Sequence, residues 1–272
     1  MSMPETPSST FLATDGDAYE LTMGRWSRRL ARLFADFVEI GDAKRVLDVG
    51  CGTGHLSAEI ATRSQSVQVV GVDMSAAYVG HAKTHYPNPR LTFQAGDACA
   101  LDFPDATFDR VVSLLMLHHV PRTEDAVAQM RRVAKPGATV AAAVWDVRGG
   151  YVTKRMFVDT AAALDPNAVA IRAKDLTRPM TRPGELGAAW RRAGFVDVEE
   201  TSLQIRMEFS SFADFWAPYL GKEGPGCEYV GSLSGEARAR FEAAMRAAYV
   251  DGEADGPRSY AASAWAVKGR AP

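Results

Sequence analysis

The sequence predicts a doubly wound α/β domain, and three observations predict it. Short apolar runs alternate with helix-spaced segments between residues 45 and 146. Each run is continuous rather than alternately apolar and polar, the pattern of parallel strands covered on both faces. The unusual residues (a glycine cluster, Asp73, Asp97, His118–His119 and Trp145) fall at the ends of these runs. Open α/β sheets bind ligands there, outside the carboxyl ends of their strands.

The elements follow in order. Residues 1–17, rich in Ser, Thr and Pro, are expected to be a mobile lead-in, and residues 18–272 the main domain. Leu30, Leu33, Phe34, Phe37 and Val38 recur every three or four residues, a helical stripe. A strand, glycine turn and helix span 45–63; "VQVVGVD" (67–73), "LTFQAGD" (91–97) and "FDRVVSLLML" (108–117) are the next strands, with a helix around 76–85. Thr123 is expected to cap a helix carrying Val127, Met130 and Val133 on one face, and "KPG" (135–137) to stop it. "ATVAAAVWD" (138–146) is the fifth strand. Residues 181–195 read as a helix with Pro183 in its first turn and Gly194 at its end. Strands follow over 196–209 and 259–269. Two insertions, about 150–180 and 210–258, are expected to form a helical cap near the ligand edge.

Composition excludes several functions. A net charge of −2 over 272 residues provides no basic field for nucleic acid or an anionic membrane surface. Three cysteines at no metal-like spacing suit reduced thiols in the cytoplasm, and no metal is expected. The first residues lack the basic and apolar regions of a signal peptide, and no uncharged apolar run reaches the roughly 18 residues of a membrane span.

"VLDVGCGTGHLSAEIA" (46–61) raises the chemical question, because glycine is costly in regular structure and a cluster implies close approach to the backbone. A phosphate-binding P-loop needs Lys and Ser/Thr after its last glycine, and none follows Gly54. A dinucleotide fingerprint needs a small residue where this frame puts His55. What remains is acid-x-G-x-G-x-G from Asp48 to Gly54, with Asp73 19 positions beyond Gly54, then "GDA" (96–98) and "LDFPDATFDRVVSLLMLHHV" (101–120). This series resembles the class I S-adenosylmethionine-dependent methyltransferases, in their small-molecule, type 11-like branch, over roughly residues 19–146.

The resemblance implies a seven-stranded, Rossmann-like methyltransferase sheet with S-adenosylmethionine as cofactor and S-adenosylhomocysteine as product. It implies that Gly50, Cys51, Gly52 and Gly54 form the loop around the methionyl arm, with no chemistry for the Cys51 thiol, and that Asp48 lends negative potential to the ammonium. It places Asp73 on the ribose hydroxyls, Met74 on the adenine face, and Gly96, Asp97 and Ala98 at the adenine edge. Leu114 and Leu115 would wall the cofactor. Any one of these aspartates alone could be a helix cap or turn former, and Met74 could be packing. Tyr19 would close the site and Arg25 meet the cofactor carboxylate; the alternative is a solvated basic face with Arg28, Arg29 and Arg32.

Methyl transfer needs a base only where the acceptor must lose a proton near the transition state. His119, and after it His118, are the candidates, one of the pair being structural in many relatives. Trp145, Tyr151, Trp216 and Tyr219 could line an acceptor pocket or pack the cap. The absence of an N/D-P-P-Y/F tetrapeptide and of aromatic-interleaved basic patches favours a small-molecule acceptor at O, N or C over nucleic acid, in a monomer or homodimer. The other reading is a cofactor-binding regulatory or scaffold protein without turnover.

Overall fold

The computed structural model describes residues 8–11, 14–222 and 224–272; the rest of the expected lead-in, residues 1–7 and 12–13, lies outside the described residues. β1 (Arg45–Val49), β2 (Gln68–Asp73), β3 (Leu91–Ala95), β4 (Phe108–Leu114), β5 (Ala134–Trp145), β6 (Val196–Phe209) and β7 (Arg258–Arg270) form one sheet in the order β3-β2-β1-β4-β5-β7-β6. β1 to β5 pair in parallel, whereas β7 is antiparallel to both β5 and β6. The chain winds from β1 out to β3, then returns to β4 on the other side of β1. The crevice at that reversal is where an open α/β sheet accepts a ligand.

The strands read as unbroken apolar runs because both faces are covered. Along β5, Val140, Ala142 and Val144 face one core while Ala141 and Ala143 face another, the period of two of a pleated strand. α2 (Arg25–Val38) and α3 (His55–Arg63) cover the second face through Ala31, Phe34, Leu56 and Ile60. α5 (Thr123–Val133) and α8 (Glu185–Arg192) cover the first through Val127, Met130 and the fully buried Trp190, whose indole N–H donates to the Val140 carbonyl at 2.9 Å. α4 (Ala76–His85) packs beside β3, with Val79 and Ala82 against Phe93.

Three local expectations are corrected. The N-cap of α5 is Arg122, without a side-chain bond, and Thr123 is the first helical residue, donating to the Val120 carbonyl at 2.6 Å. The fourth strand stops at Leu114 and the chain turns into a single 3-10 turn, Leu117–His119. The helix expected over 181–195 is confined to Glu185–Arg192, because Gly184 enters it and Gly194 leaves it with left-handed backbone, at φ 81° and 83°.

Beyond β5, α6 (Val152–Leu164), α7 (Val169–Leu176), α9 (Phe212–Trp216), α10 (Pro225–Ser232) and α11 (Gly235–Val250) gather over the carboxyl edge. Phe157, Phe215, Trp216, Phe241 and Tyr249 form an aromatic core there, joined to the sheet through Trp145, Met207 and Phe209. At the other end α1 (Gly16–Tyr19) runs through a π-helical turn, Glu20–Gly24, into α2. Asp15 caps α1, its carboxylate accepting from the Asp17 and Ala18 amides.

Candidate active site

A cavity of ≈ 300 Å³ opens at the reversal between β1 and β4 and extends under the cap. Its floor is the glycine turn. Gly50 and Gly52 line it, and Gly54 does not. The three glycines have different causes. A Cβ on Gly50 would meet the Met116 side chain at 2.3 Å, so that glycine makes room for a neighbouring loop. At Gly52 φ is +54° and a Cβ would reach only Tyr78, at 3.9 Å, so the backbone lies open to the cavity. Gly54 has φ +94° as the N-cap of α3, and a Cβ there would press on Ala82, Phe93 and Tyr86 at 3.1 Å. The expectation that all three admit a ligand is therefore corrected for Gly54, which serves packing.

Asp73 ends β2 with its carboxylate at the cavity wall, Oδ2 accepting from the Gly52 amide and Oδ1 from the Ser75 amide, both at 2.9 Å. Burial raises its pKa, and those two amide bonds oppose the rise. Each carboxylate oxygen keeps a free lone pair, so the group can accept from a pair of ligand hydroxyls. Met74 lies beside it, 54% exposed, an apolar shelf on the cavity wall. Gly96, Asp97 and Ala98 line the next stretch; Asp97 accepts from the Ser8 hydroxyl at 2.6 Å and the Cys99 amide at 2.8 Å. Leu114 and Leu115 close the wall after β4, Leu115 in left-handed backbone at φ 63°. That conformation is strained for a branched side chain and concentrates at functional sites.

Asp48 and Cys51 do not reach the cavity surface. Asp48 is fully buried behind the turn, Oδ2 accepting from Ser57 at 2.7 Å while Oδ1 has no partner among the described residues. Burial pushes its pKa up to about 7, the Ser57 bond opposing. A buried acceptor without a donor fits a cationic ligand group nearby, because it otherwise costs about 1–3 kcal/mol. The Cys51 side chain packs under Gly71, and burial raises its pKa well above the ordinary thiol value.

The chain before α2 covers the opening. Tyr19 lines the cavity, its hydroxyl 2.8 Å from Ser27 Oγ and its ring 5.1 Å from Tyr78. Glu20, which the sequence reading missed, fastens this segment to the glycine turn: one oxygen accepts from Thr53 at 2.7 Å and lies 2.7 Å from His55 Nε2, the other meets Arg28 at 3.0 Å. Arg25 is corrected. It lies outside the cavity, paired with Asp214 at 3.0 Å and stacked over Trp26 and Phe209, so it ties α2 to the cap.

In the cap half, Trp145, Tyr151 and Tyr219 line the cavity, with Trp145 and Tyr151 rings 5.1 Å apart. Trp216 does not; it is 3% exposed among Phe212, Tyr219 and Phe241, and is a core residue of the cap. His118 and His119 both line the cavity. Burial holds His118 well below the usual histidine pKa; burial, then the charge of Arg178, lowers His119 to about 3. Arg178 Nη1 sits 2.8 Å from His119 Nδ1. A guanidinium can only donate, so Nδ1 is the acceptor and Nε2 carries the hydrogen. This arrangement corrects the expectation of His119 as base, because its one basic nitrogen is already engaged. Lys154, Asp175 and Arg178 also line this half and were not foreseen. The insertion that carries them has no local motif.

Residues 46–137 match the methyltransferase domain family. Over 129 residues the chain is 33% identical to the 27-O-demethylrifamycin SV methyltransferase of Amycolatopsis mediterranei, covering 46% of this chain and 47% of that one. Over 123 residues it is 39% identical to the demethylmenaquinone methyltransferase of Renibacterium salmoninarum, covering 45% and 50% respectively. The chain thus spans about half the length of these curated relatives. In fold it is similar to a Haemonchus contortus phosphoethanolamine N-methyltransferase 2, with TM-score 0.58 and 19% identity over 94% of this chain and 57% of that one. The seven-stranded sheet, the turn from Asp48 to Gly54 and the matched segment agree: over residues 46–137 the chain is similar to methyltransferase domains of the class I, S-adenosylmethionine-dependent kind.

Proposed function

We propose that the protein moves the methyl group of S-adenosylmethionine to an O, N or C atom of a small-molecule acceptor, leaving S-adenosylhomocysteine. The observation that carries this reading is the Asp73 carboxylate, bonded to the Gly52 amide beside open backbone, in a cavity that continues from the glycine turn to the aromatic cap. A filled cap would favour a binding protein without turnover; the continuous cavity favours transfer.

When bound, the cofactor supplies an electrophilic methyl group on a sulfonium. Asp73 and Asp97 accept from its hydroxyl and amino donors, Met74 covers its aromatic face, and Tyr19 with Leu114 and Leu115 excludes water. The unpartnered Asp48 oxygen favours a cation above the glycine turn. Trp145, Tyr151 and Tyr219 hold the acceptor's apolar body, and alignment of acceptor and methyl supplies most of the acceleration. Neutral His119 orients rather than deprotonates, its Nε2 hydrogen available to an acceptor oxygen. His118, the other imidazole at the wall, is made a weak base by burial. The relatives reported above are named for small-molecule acceptors, which supports the same class here.

Calorimetric titration with S-adenosylmethionine and S-adenosylhomocysteine tests the reading. Micromolar binding of both, then transfer of labelled methyl to a member of a small-molecule panel, is the expected result. No binding of either overturns it. Binding without consumption by any acceptor moves the protein to the non-catalytic class.

A further inference from the structure

We propose that the cap half of the cavity selects an anionic acceptor: a molecule with an apolar body and one carboxylate or similar oxyanion, held by Lys154 and Arg178. The inference rests on the acceptor side of the transfer reading, and concerns residues outside the cofactor-binding loops.

Lys154 is on α6, and Asp175 and Arg178 are on or just after α7. Lys154 Nζ lies 3.0 Å from Asp175 Oδ2, Arg178 Nε 2.9 Å from Asp175 Oδ1, and Arg178 Nη1 2.8 Å from His119 Nδ1. All four side chains line the cavity, and Lys154, Asp175 and Arg178 are only 21%, 8% and 12% exposed. Two cations share one carboxylate, so the cluster carries one net positive charge. His119 does not cancel it, because its acceptor nitrogen serves Arg178 as a neutral base. Tyr151 does not cancel it either, because burial keeps its phenol protonated. Arg178 Nη2 and two of the three Lys154 hydrogens find no protein acceptor among the described residues.

The surroundings make that charge consequential. Tyr151, Phe215, Tyr219 and Met207 line the same half, so the charge sits in an apolar enclosure where an unpaired ion is costly. The carboxylates of Asp73 and Asp97 stand instead at the ends of β2 and β3. The cavity is thus acidic at the sheet and basic at the cap. A ligand anion completes the cluster with charge-assisted hydrogen bonds, which Arg can make in a fork. If the three groups only fastened α7 to α6, the spare donors would serve nothing and their removal would change stability alone.

The test uses the whole protein, with and without saturating S-adenosylhomocysteine, titrated calorimetrically with biphenyl-4-carboxylate and its neutral isostere biphenyl-4-carboxamide. The carboxylate is expected to bind at least ~10-fold tighter than the amide, the scale of one desolvated charge-assisted contact. K154M and R178M are expected to bring that ratio within ~3-fold, and K154R to retain it. Should R178M fail to fold, K154M and K154R, which leave the His119 contact intact, decide the matter. Equal binding of the two probes to the unaltered protein, no binding of the carboxylate, or a preference that survives K154M overturns the proposal. Failure of S-adenosylhomocysteine to bind while the carboxylate preference persists overturns the transfer reading and leaves the anion site standing.

Discussion

Replacing Asp73 by Asn removes one charge and keeps the side-chain shape. In the native site both carboxylate oxygens are used, Oδ2 by the Gly52 amide and Oδ1 by the Ser75 amide, each at 2.9 Å. Asn has one carbonyl oxygen, so one amide then faces an NH2 group and loses its acceptor. On the cavity side, two acceptors become one acceptor and one donor, and no charge assists the contact. Hydrogen bonds to charged groups contribute about 1.5–3 kcal/mol, which corresponds to ~10- to 150-fold weaker binding of S-adenosylhomocysteine by calorimetry. The fold should survive, since losing the buried charge offsets part of the lost amide bond. Thermal unfolding of the ligand-free variant checks that point. Affinity within ~3-fold of the native protein, with an unchanged unfolding transition, would remove Asp73 from the binding site.

Three further outcomes are expected. Gly54→Ala places a Cβ 3.1 Å from three side chains at φ +94°, so denaturant unfolding should show a loss of ~1–3 kcal/mol. Ligand affinity of the folded fraction should be nearly unaltered, and a stable variant that cannot bind would return Gly54 to the site. At Glu20 burial opposes ionisation, but bonds from His55 and Thr53 and the charges of His55 and Arg28 outweigh it and hold the pKa at about 2, against an ordinary 4.5. Its contribution is present above the unfolded value and is lost as pH falls toward the folded one. Glu20→Gln should therefore narrow the stability difference between about pH 6 and about pH 3 in urea titrations, and parallel pH profiles would show that Glu20 is uncoupled from folding. Asp48 has the opposite sign: burial raises it from 3.8 to about 7, so its favourable contribution is present at low pH and is lost as pH rises through that range. Asp48→Asn should be more stable than the native protein at about pH 8, by up to ~4 kcal/mol, with the difference vanishing near pH 4. A variant less stable at high pH would mean that the buried charge has a partner.

The parts that could be read from sequence are those whose cause is local. β1, β2 and the turn between β1 and α3 announce themselves because a strand buried on both faces must be apolar throughout, and because Asp73 is the residue that follows such a run. The errors come where one sequence feature has several physical causes. Gly50, Gly52 and Gly54 look alike in the chain, yet a loop side chain crowds a Cβ at the first, the second has left-handed backbone beside open cavity, and packing around α3 crowds a Cβ at the third. Arg25 and Trp216 have the residue types of a site, but an aspartate 189 positions away claims the first and an aromatic core the second. His119 was visible as a histidine at a strand end; the arginine that sets its tautomer lies 59 positions later, in an insertion without a motif. The sheet end, with its aspartates and open backbone, is inherited from a pattern of short range. The cap, where Lys154, Asp175 and Arg178 meet, is assembled from contacts between elements distant in sequence, and the proposed selection of an anionic acceptor rests on those contacts. Such a chain therefore discloses its cofactor chemistry in the order of its residues, while the charges on which the proposed acceptor selection rests meet only where the folded insertion brings them together.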